Sequence, residues 1–85
     1  MKSFNYVIKD ELGIHARPAG LLVKETKNYA CTVKLQYGEK QADGKSVLGI
    51  MALAVKKGHE VTITCDGEDE EAAIEALSTF FNSSL

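Results

Sequence analysis

Tryptophan is absent from this 85-residue sequence, and tyrosine and phenylalanine occur only three times each. With so few aromatics, and no alternation of basic and aromatic residues, a base-stacking surface for single-stranded nucleic acid is not expected. The sequence also lacks a basic excess, because it has ten Lys and Arg residues but twelve Asp and Glu, for a net charge of −2. General nucleic-acid binders carry a clear positive excess. We therefore expect no nucleic-acid partner.

Cysteine is scarce, with only Cys31 and Cys65, which are far apart and lack the Cys-x-x-Cys spacing. A short secreted domain usually carries more cysteines in a framework of bridges. We interpret both as small buried apolar residues with free thiols and assign neither a role. No apolar run approaches the ~18 residues of a transmembrane helix, and the start of the chain lacks a hydrophobic signal region. The sequence therefore predicts a cytoplasmic protein that does not insert into membranes.

Hydrophobic residues make up 45% of the chain and charged residues 26%, which predicts one small globular domain over residues 1–85. Such a domain has one core and little spare interior, so we expect no deep substrate pocket and no cofactor. The possible zinc ligands His15, Cys31, His59 and Cys65 include no closely spaced pair, so no metal site is predicted. His59, in a lysine-flanked loop, is given no role. The chemistry should therefore be at the surface.

Alternation of apolar and polar residues predicts four strands. They lie around residues 4–8, 31–37, 40–43 and 61–65, and Gly38-Glu39 joins the middle two as a hairpin. Helical spacing of apolar residues predicts helices between the first and second strands, between the third and fourth, and after the fourth.

Three helices are expected. The first runs from Ala16 to about Tyr29, the second from Val47 to about Leu53, and the third follows the capping oxygens of residues 66–69. The inner stripes of the first and third are Ala19, Leu22, Val23 and Thr26, and Ala73, Ile74, Leu77, Phe80 and Phe81. The order βαββαβα predicts an α/β (α+β) fold. It is an open-faced β-sandwich, in which a four-stranded antiparallel sheet carries three helices on one face.

The run Gly13-Ile14-His15-Ala16-Arg17-Pro18-Ala19 is the most informative segment. Pro18 suits the first turn of a helix, which places His15 at or just before the helix start. There the free amides of Ala16 and Arg17 would face an anion, and the Arg17 guanidinium suits phosphate oxygens. A histidine side chain keeps a neutral, nucleophilic fraction near neutral pH. The segment can therefore carry a phosphoryl group on His15, although a lone histidine before a helix is more often a cap or a solvated surface residue.

Two motifs resemble those of HPr, the histidine-containing phosphocarrier of the bacterial phosphoenolpyruvate:sugar phosphotransferase system. Gly13 to Ala19 is similar to its active-site signature. Lys45-Ser46-Val47-Leu48-Gly49-Ile50-Met51 is similar to the signature around its regulatory serine. The separation of the motifs, the chain length and the element order fit as well, so the resemblance covers essentially the whole chain as one HPr-like domain.

The resemblance implies a phosphoryl-group carrier rather than an enzyme. His15 would accept the group on Nδ1 from enzyme I, which draws on phosphoenolpyruvate, and pass it to IIA domains of sugar permeases. Arg17 would steady the phosphate in both complexes. Transfer between two histidines requires in-line approach and positioning, which suits a protruding side chain and needs no pocket.

Helical spacing puts four further residues on the same side of the first helix as Arg17. They are Gly20, Leu21, Lys24 and Lys27. This face is either a basic rim around an apolar contact, suited to an acidic partner, or an ordinary solvated surface. The apolar cluster of the short helix, Val47, Leu48 and Met51, is either core or an extension of that face. The resemblance favours the extension, with Ile50 and Leu53 inward, and we expect a monomer.

Ser46 stands where the cap of the short helix belongs, and capping alone would explain it. Resemblance to the Gram-positive type of HPr implies, in addition, phosphorylation of Ser46 by an ATP-dependent HPr kinase/phosphorylase. That modification would slow transfer through His15 and favour binding to a transcriptional regulator. Val47-Leu48 stands where Ile-Met is frequent in that type, and Asp43-Gly44 precedes the lysine. These departures bear on kinase recognition rather than on transfer.

Two other interpretations stay open. One is a purely regulatory binding module of the same fold that acts through Ser46. Relatives of that kind have lost the active histidine, whereas His15, Arg17 and Pro18 are all present here. The other is a phosphocarrier of the nitrogen-related branch, which the Ser46 region fits less well.

Overall fold

Four strands and three helices follow one another in the predicted order βαββαβα in a computed structural model that describes all 85 residues. The strands are β1 (Lys2–Val7), β2 (Thr32–Tyr37), β3 (Lys40–Asp43) and β4 (Glu60–Asp66). The helices are α1 (Ala16–Thr26), α2 (Val47–Ala52) and α3 (Glu70–Ser84). None of the three helices is both long and apolar enough to cross a bilayer.

The strands form one antiparallel sheet in the order β1-β4-β2-β3. Ile63 of β4 lies opposite Phe4 on one side and Leu35 on the other, so apolar residues of neighbouring strands meet on the same face. The helices cover that face. The other face carries exposed or half-exposed polar residues such as Lys34 and Thr62. The predicted open-faced sandwich is confirmed.

Nineteen buried apolar residues form one core between the sheet and the helices. Phe81 of α3 lies fully buried at its centre and makes edge contacts with the rings of Phe4 and Tyr6, with centroids 5.7 and 5.5 Å away. The whole predicted inner stripe of α1 is buried. In α3, Ile74 and Phe80 are only half-buried.

The sequence predicted that helix α1 ends near Tyr29, but the helix ends at Thr26. The Thr26 hydroxyl donates to the carbonyls of Gly44 (2.7 Å) and Val23 (3.1 Å), and the Lys45 ammonium donates to the carbonyl of Tyr29 (2.6 Å). Residues of the segment before α2 therefore supply the hydrogen-bond partners at the end of α1. This junction also holds Gly44 and Lys45 in place next to Ser46.

Asp69 precedes α3 as expected, but its carboxylate does not cap that helix. It accepts hydrogen bonds from the amides of Ala30 (2.7 Å) and Cys31 (2.9 Å), while the Glu70 carboxylate accepts from the amide of Gly67 (3.1 Å). The bond from the Ala30 amide is the main reason that the pKa of Asp69 lies below its usual value. Asp69 therefore joins the start of α3 to the chain segment that leads into β2.

Candidate functional site

His15 occupies the N-cap position of α1, as predicted. Its backbone is extended (φ −94°, ψ −174°), its side chain makes no capping hydrogen bond, and its carbonyl accepts from the amide of Ala19 at 3.0 Å. Pro18 is the third residue of the helix, where its missing N–H removes no helical hydrogen bond. His15 is half-exposed, so its imidazole stays accessible and has no part in capping the helix.

The start of α1 presents unused hydrogen-bond donors beside His15. No hydrogen bond within the chain uses the amide of Ala16 or Arg17. No acidic residue lies in the first turn, and the exposed Arg17 takes part in no ion pair. An anion placed here would meet two free amides, the positive end of an 11-residue helix and a guanidinium.

The outward side of α1 is an open surface with cations at its edge. We call Gly20, Leu21, Lys24 and Lys27 the α1 face, and all four residues are exposed. Leu21 is 48% exposed, and neither lysine takes part in an ion pair. A Cβ atom added to Gly20 would have no heavy atom within 4 Å, so the backbone itself is open to an approaching surface.

Helix α2 packs beside α1 and adds apolar surface to it. Leu48 is 82% and Met51 40% exposed, whereas Ile50 and Leu53 are buried as predicted. Val47 is half-buried and packs against the core. The expected extension of the docking surface therefore has two well-exposed members, and Val47 contributes only in part.

Ser46 is the N-cap residue of α2, and its hydroxyl oxygen accepts from the amide of Gly49 at 3.1 Å. The capping interpretation of the sequence is confirmed. The residue is half-exposed and directly precedes the apolar residues of α2, so a group added to its oxygen would stand at the edge of that surface.

An exposed apolar side chain that is not among the predicted site residues lies in the segment before His15. Leu12 is 70% exposed, and its amide donates to the Asp10 carboxylate at 2.9 Å. A large apolar residue between Glu11 and Gly13, outside the predicted strands and helices, is the signal that would have singled it out. Leu12 therefore presents an exposed apolar side chain three positions before His15.

The remaining candidate nucleophiles are away from solvent. Cys31 and Cys65 are both buried and reduced. Burial raises the pKa of the Cys31 thiol and raises that of Cys65 to about 12, which disfavours the reactive thiolate. No three His, Cys, Asp or Glu side chains are grouped so as to hold a metal ion. No cavity of the structure is lined by His15 or Arg17, so any chemistry at His15 is surface chemistry.

Comparison with known proteins agrees with this geometry. A family model described as the PTS HPr component phosphorylation site matches residues 2–83. The chain is 46% identical over 79 residues to the phosphocarrier protein HPr of Lysinibacillus sphaericus, covering 93% of this chain and 90% of that protein. It superposes on a histidine-containing phosphocarrier protein from Mycoplasma with a TM-score of 0.95 at 37% identity, over 98% of this chain and 94% of the other. Crh of Bacillus subtilis, a catabolite repression protein solved as a dimer with a swapped domain, is 36% identical with a TM-score of 0.79, over 94% and 92% of the two chains.

Proposed function

This chain belongs to the HPr family of phosphocarriers of the phosphotransferase system, and from that premise we propose that His15 is its phosphoryl acceptor. The group would arrive on Nδ1 from phosphorylated enzyme I and leave to a histidine of a IIA domain of a sugar permease. In each step a P–N bond forms on the acceptor imidazole as the P–N bond to the donor imidazole breaks. The protein would act as a carrier, since it regains its starting state only when a partner removes the group.

The observation that carries this proposal is the combination of an unengaged, half-exposed imidazole with unused donors at the start of α1. A phosphoryl group on His15 would be within the reach of the Ala16 and Arg17 amides and of the Arg17 side chain. Interaction of an exposed anion with a helix N-terminus is worth roughly 0.3–1 kcal/mol, and more when it is partly buried. These contacts would favour the phosphorylated state without enclosing it.

The α1 face and the exposed residues of α2 support docking of a protein partner. Leu21, Leu48 and Met51 offer an apolar contact, and Lys24 and Lys27 provide the cationic edge. Charge of this kind steers association with an acidic surface and sets orientation more than it adds affinity. We propose that both phosphoryl donors and phosphoryl acceptors use this one surface, with the protein acting in the cytoplasm as a monomer.

Incubation with phosphoenolpyruvate and enzyme I, followed by intact-mass spectrometry, tests the acceptor. We expect one acid-labile phosphoryl group on the wild type and none on His15→Ala. His59→Asn is the matched control, because it removes the other histidine while keeping an acceptor atom for the amide of Lys56. Equal labelling of His15→Ala would overturn the proposal.

We further propose that phosphorylation of Ser46 by an ATP-dependent kinase regulates transfer. A phosphoserine brings nearly two negative charges to the edge of the docking surface. Two unit charges of like sign ~8 Å apart repel by about 2 kcal/mol at an effective dielectric of about 20, before screening by salt. The modified protein would therefore bind an acidic partner less tightly, and it would offer a transcriptional regulator a feature that the unmodified form lacks.

ATP and HPr kinase/phosphorylase should give the wild type an acid-stable phosphate that Ser46→Ala does not acquire. Transfer through His15 should slow for the phosphorylated wild type and stay normal for Ser46→Ala. A wild type that remains unlabelled would contradict the regulatory proposal. A chain labelled on Ser46 but never on His15 would favour the purely regulatory module instead.

A further inference from the structure

Residues 54–59, in the loop between α2 and β4, are bound by their backbone to the segment that precedes His15. The amide of Ile14 donates to the carbonyl of Val55 at 3.1 Å, and the amide of Gly58 donates to the carbonyl of Ile8 at 2.8 Å. Together with a third hydrogen bond, from the amide of Ile8 to the carbonyl of His59 at 3.0 Å, these bonds fix the position of the loop relative to the candidate site. We call residues 54–59 the flanking loop.

Lys56 of the flanking loop lies directly against Gly13. A Cβ atom added to Gly13 would be 2.2 Å from the Val55 carbonyl oxygen and 2.6 Å from the Cα atom of Lys56. Gly13 also has φ +68°, a conformation that L side chains rarely adopt. The backbones touch because residue 13 has no side chain, which puts a lysine next to a residue two positions before His15.

A residue with a strained backbone directly precedes the contact of Val55 and Lys56 with Gly13. Ala54 has φ +53° and is the one non-glycine residue of the chain with a positive φ. An L residue in the left-handed region costs roughly 1–2 kcal/mol, and such strain persists where the surroundings hold the backbone in place. Ala54 turns the chain out of α2 so that the Val55 carbonyl meets the amide of Ile14.

Lys56 and Lys57 both carry exposed side chains in the flanking loop, and Lys56 is the one whose Cα atom lies against Gly13. The Lys56 amide donates to Nδ1 of His59 at 3.1 Å, and the His59 ring stacks on Tyr37 with centroids 4.6 Å apart and planes 16° apart. Lys56 is exposed and takes part in no ion pair, and the neighbouring Lys57 and Lys9 are exposed as well. An exposed ammonium group without a carboxylate partner, on a backbone held by hydrogen bonds, is available to an acidic partner surface.

We propose that Lys56 binds acidic side chains of the proteins that exchange the phosphoryl group with His15. The proposed function is the premise of this assignment. Lys56 adds a second cationic edge to the docking surface, from a part of the chain separate from α1. The phosphoryl group itself already has two free amides and Arg17, whereas an acidic protein surface is wide enough to meet cations on both elements.

Lys56→Gln removes the charge and keeps most of the side-chain length, so the fold should be unaffected. Lys34→Gln is the matched control, because Lys34 is also an exposed lysine but lies on the uncovered face of the sheet. In steady-state transfer from phosphorylated enzyme I, Lys56→Gln should raise KM roughly two- to five-fold, leave kcat unchanged and flatten the dependence of kcat/KM on salt. Lys34→Gln should match the wild type in all three.

Equal KM values and salt dependences for the two variants would overturn the assignment. A faster spontaneous hydrolysis of phosphohistidine in Lys56→Gln, with KM unchanged, would also overturn it, since the lysine would then contact the phosphoryl group. Failure of the proposed function has a different signature, because the wild type would then acquire no label on His15 at all.

Discussion

Replacing Gly20 with alanine should stabilise the fold and weaken partner docking at the same time. Gly20 lies inside α1 with ordinary helical geometry, and a Cβ atom there would meet nothing within 4 Å. Glycine in a helix interior is less favourable than alanine by roughly 0.5–1 kcal/mol. The variant should gain that amount, since no neighbour has to move.

For a domain of this size, 1 kcal/mol shifts Tm by about 4–8 °C, so Tm should rise by roughly 2–8 °C in thermal unfolding followed by circular dichroism. Docking should respond in the opposite direction, because the added methyl group would stand where the proposed docking surface places a partner against the open backbone. Overpacking of a closely packed contact costs upwards of about 1 kcal/mol. That corresponds to a loss of about fivefold or more in kcat/KM for transfer.

Gly38→Ala provides the matched control. A Cβ atom at Gly38 also meets nothing within 4 Å, but the residue has φ +60°. The strain of alanine in the left-handed region exceeds the entropy gained by restricting the unfolded chain, so Tm should fall while transfer stays normal. An unchanged or lower Tm for Gly20→Ala would refute the helix argument. A higher Tm with unchanged kcat/KM would refute the placement of Gly20 in the docking surface.

Two further predictions concern groups with shifted pKa values. Because hydrogen bonds from the Ala30 and Cys31 amides hold the pKa of Asp69 below the ordinary 3.8, its contribution to stability is complete above that pH and disappears as the pH falls through the lower folded-state value. Urea unfolding should therefore show a stability gap between wild type and Asp69→Ala at pH 6 that closes in strong acid, and a gap of constant size would contradict the linkage. Because burial raises the pKa of both thiols, Cys31 and Cys65 should react with iodoacetamide at neutral pH only after denaturation. Rapid labelling of either thiol in the folded protein would show that the surrounding structure opens.

Features that depend on a few neighbouring residues could be predicted from the sequence. Pro18 located the start of α1, and the alternation around Gly38-Glu39 located the β2–β3 hairpin, because each depends on a few neighbouring residues. Spacing within α2 separated the inward Ile50 from the exposed Leu48 for the same reason.

Features that depend on residues distant in sequence could not be predicted. The end of α1 at Thr26 depends on a carbonyl 18 positions away, and the carboxylate of Asp69 bonds to amides 38 and 39 positions away. The place of Lys56 beside Gly13 likewise exists only once α2 and β4 are in position. Local propensity contains no information on such contacts.

The position of β4 in the middle of the sheet has a consequence for biosynthesis. Both β1 and the β2–β3 hairpin are joined to the sheet only through β4, which begins at Glu60. A chain emerging from the ribosome can therefore form helical and hairpin segments, but the four-stranded sheet cannot form until β4 has left the exit tunnel. His15 is synthesised well before β4, yet the sheet beneath its helix is complete only after β4 has joined β1 and β2.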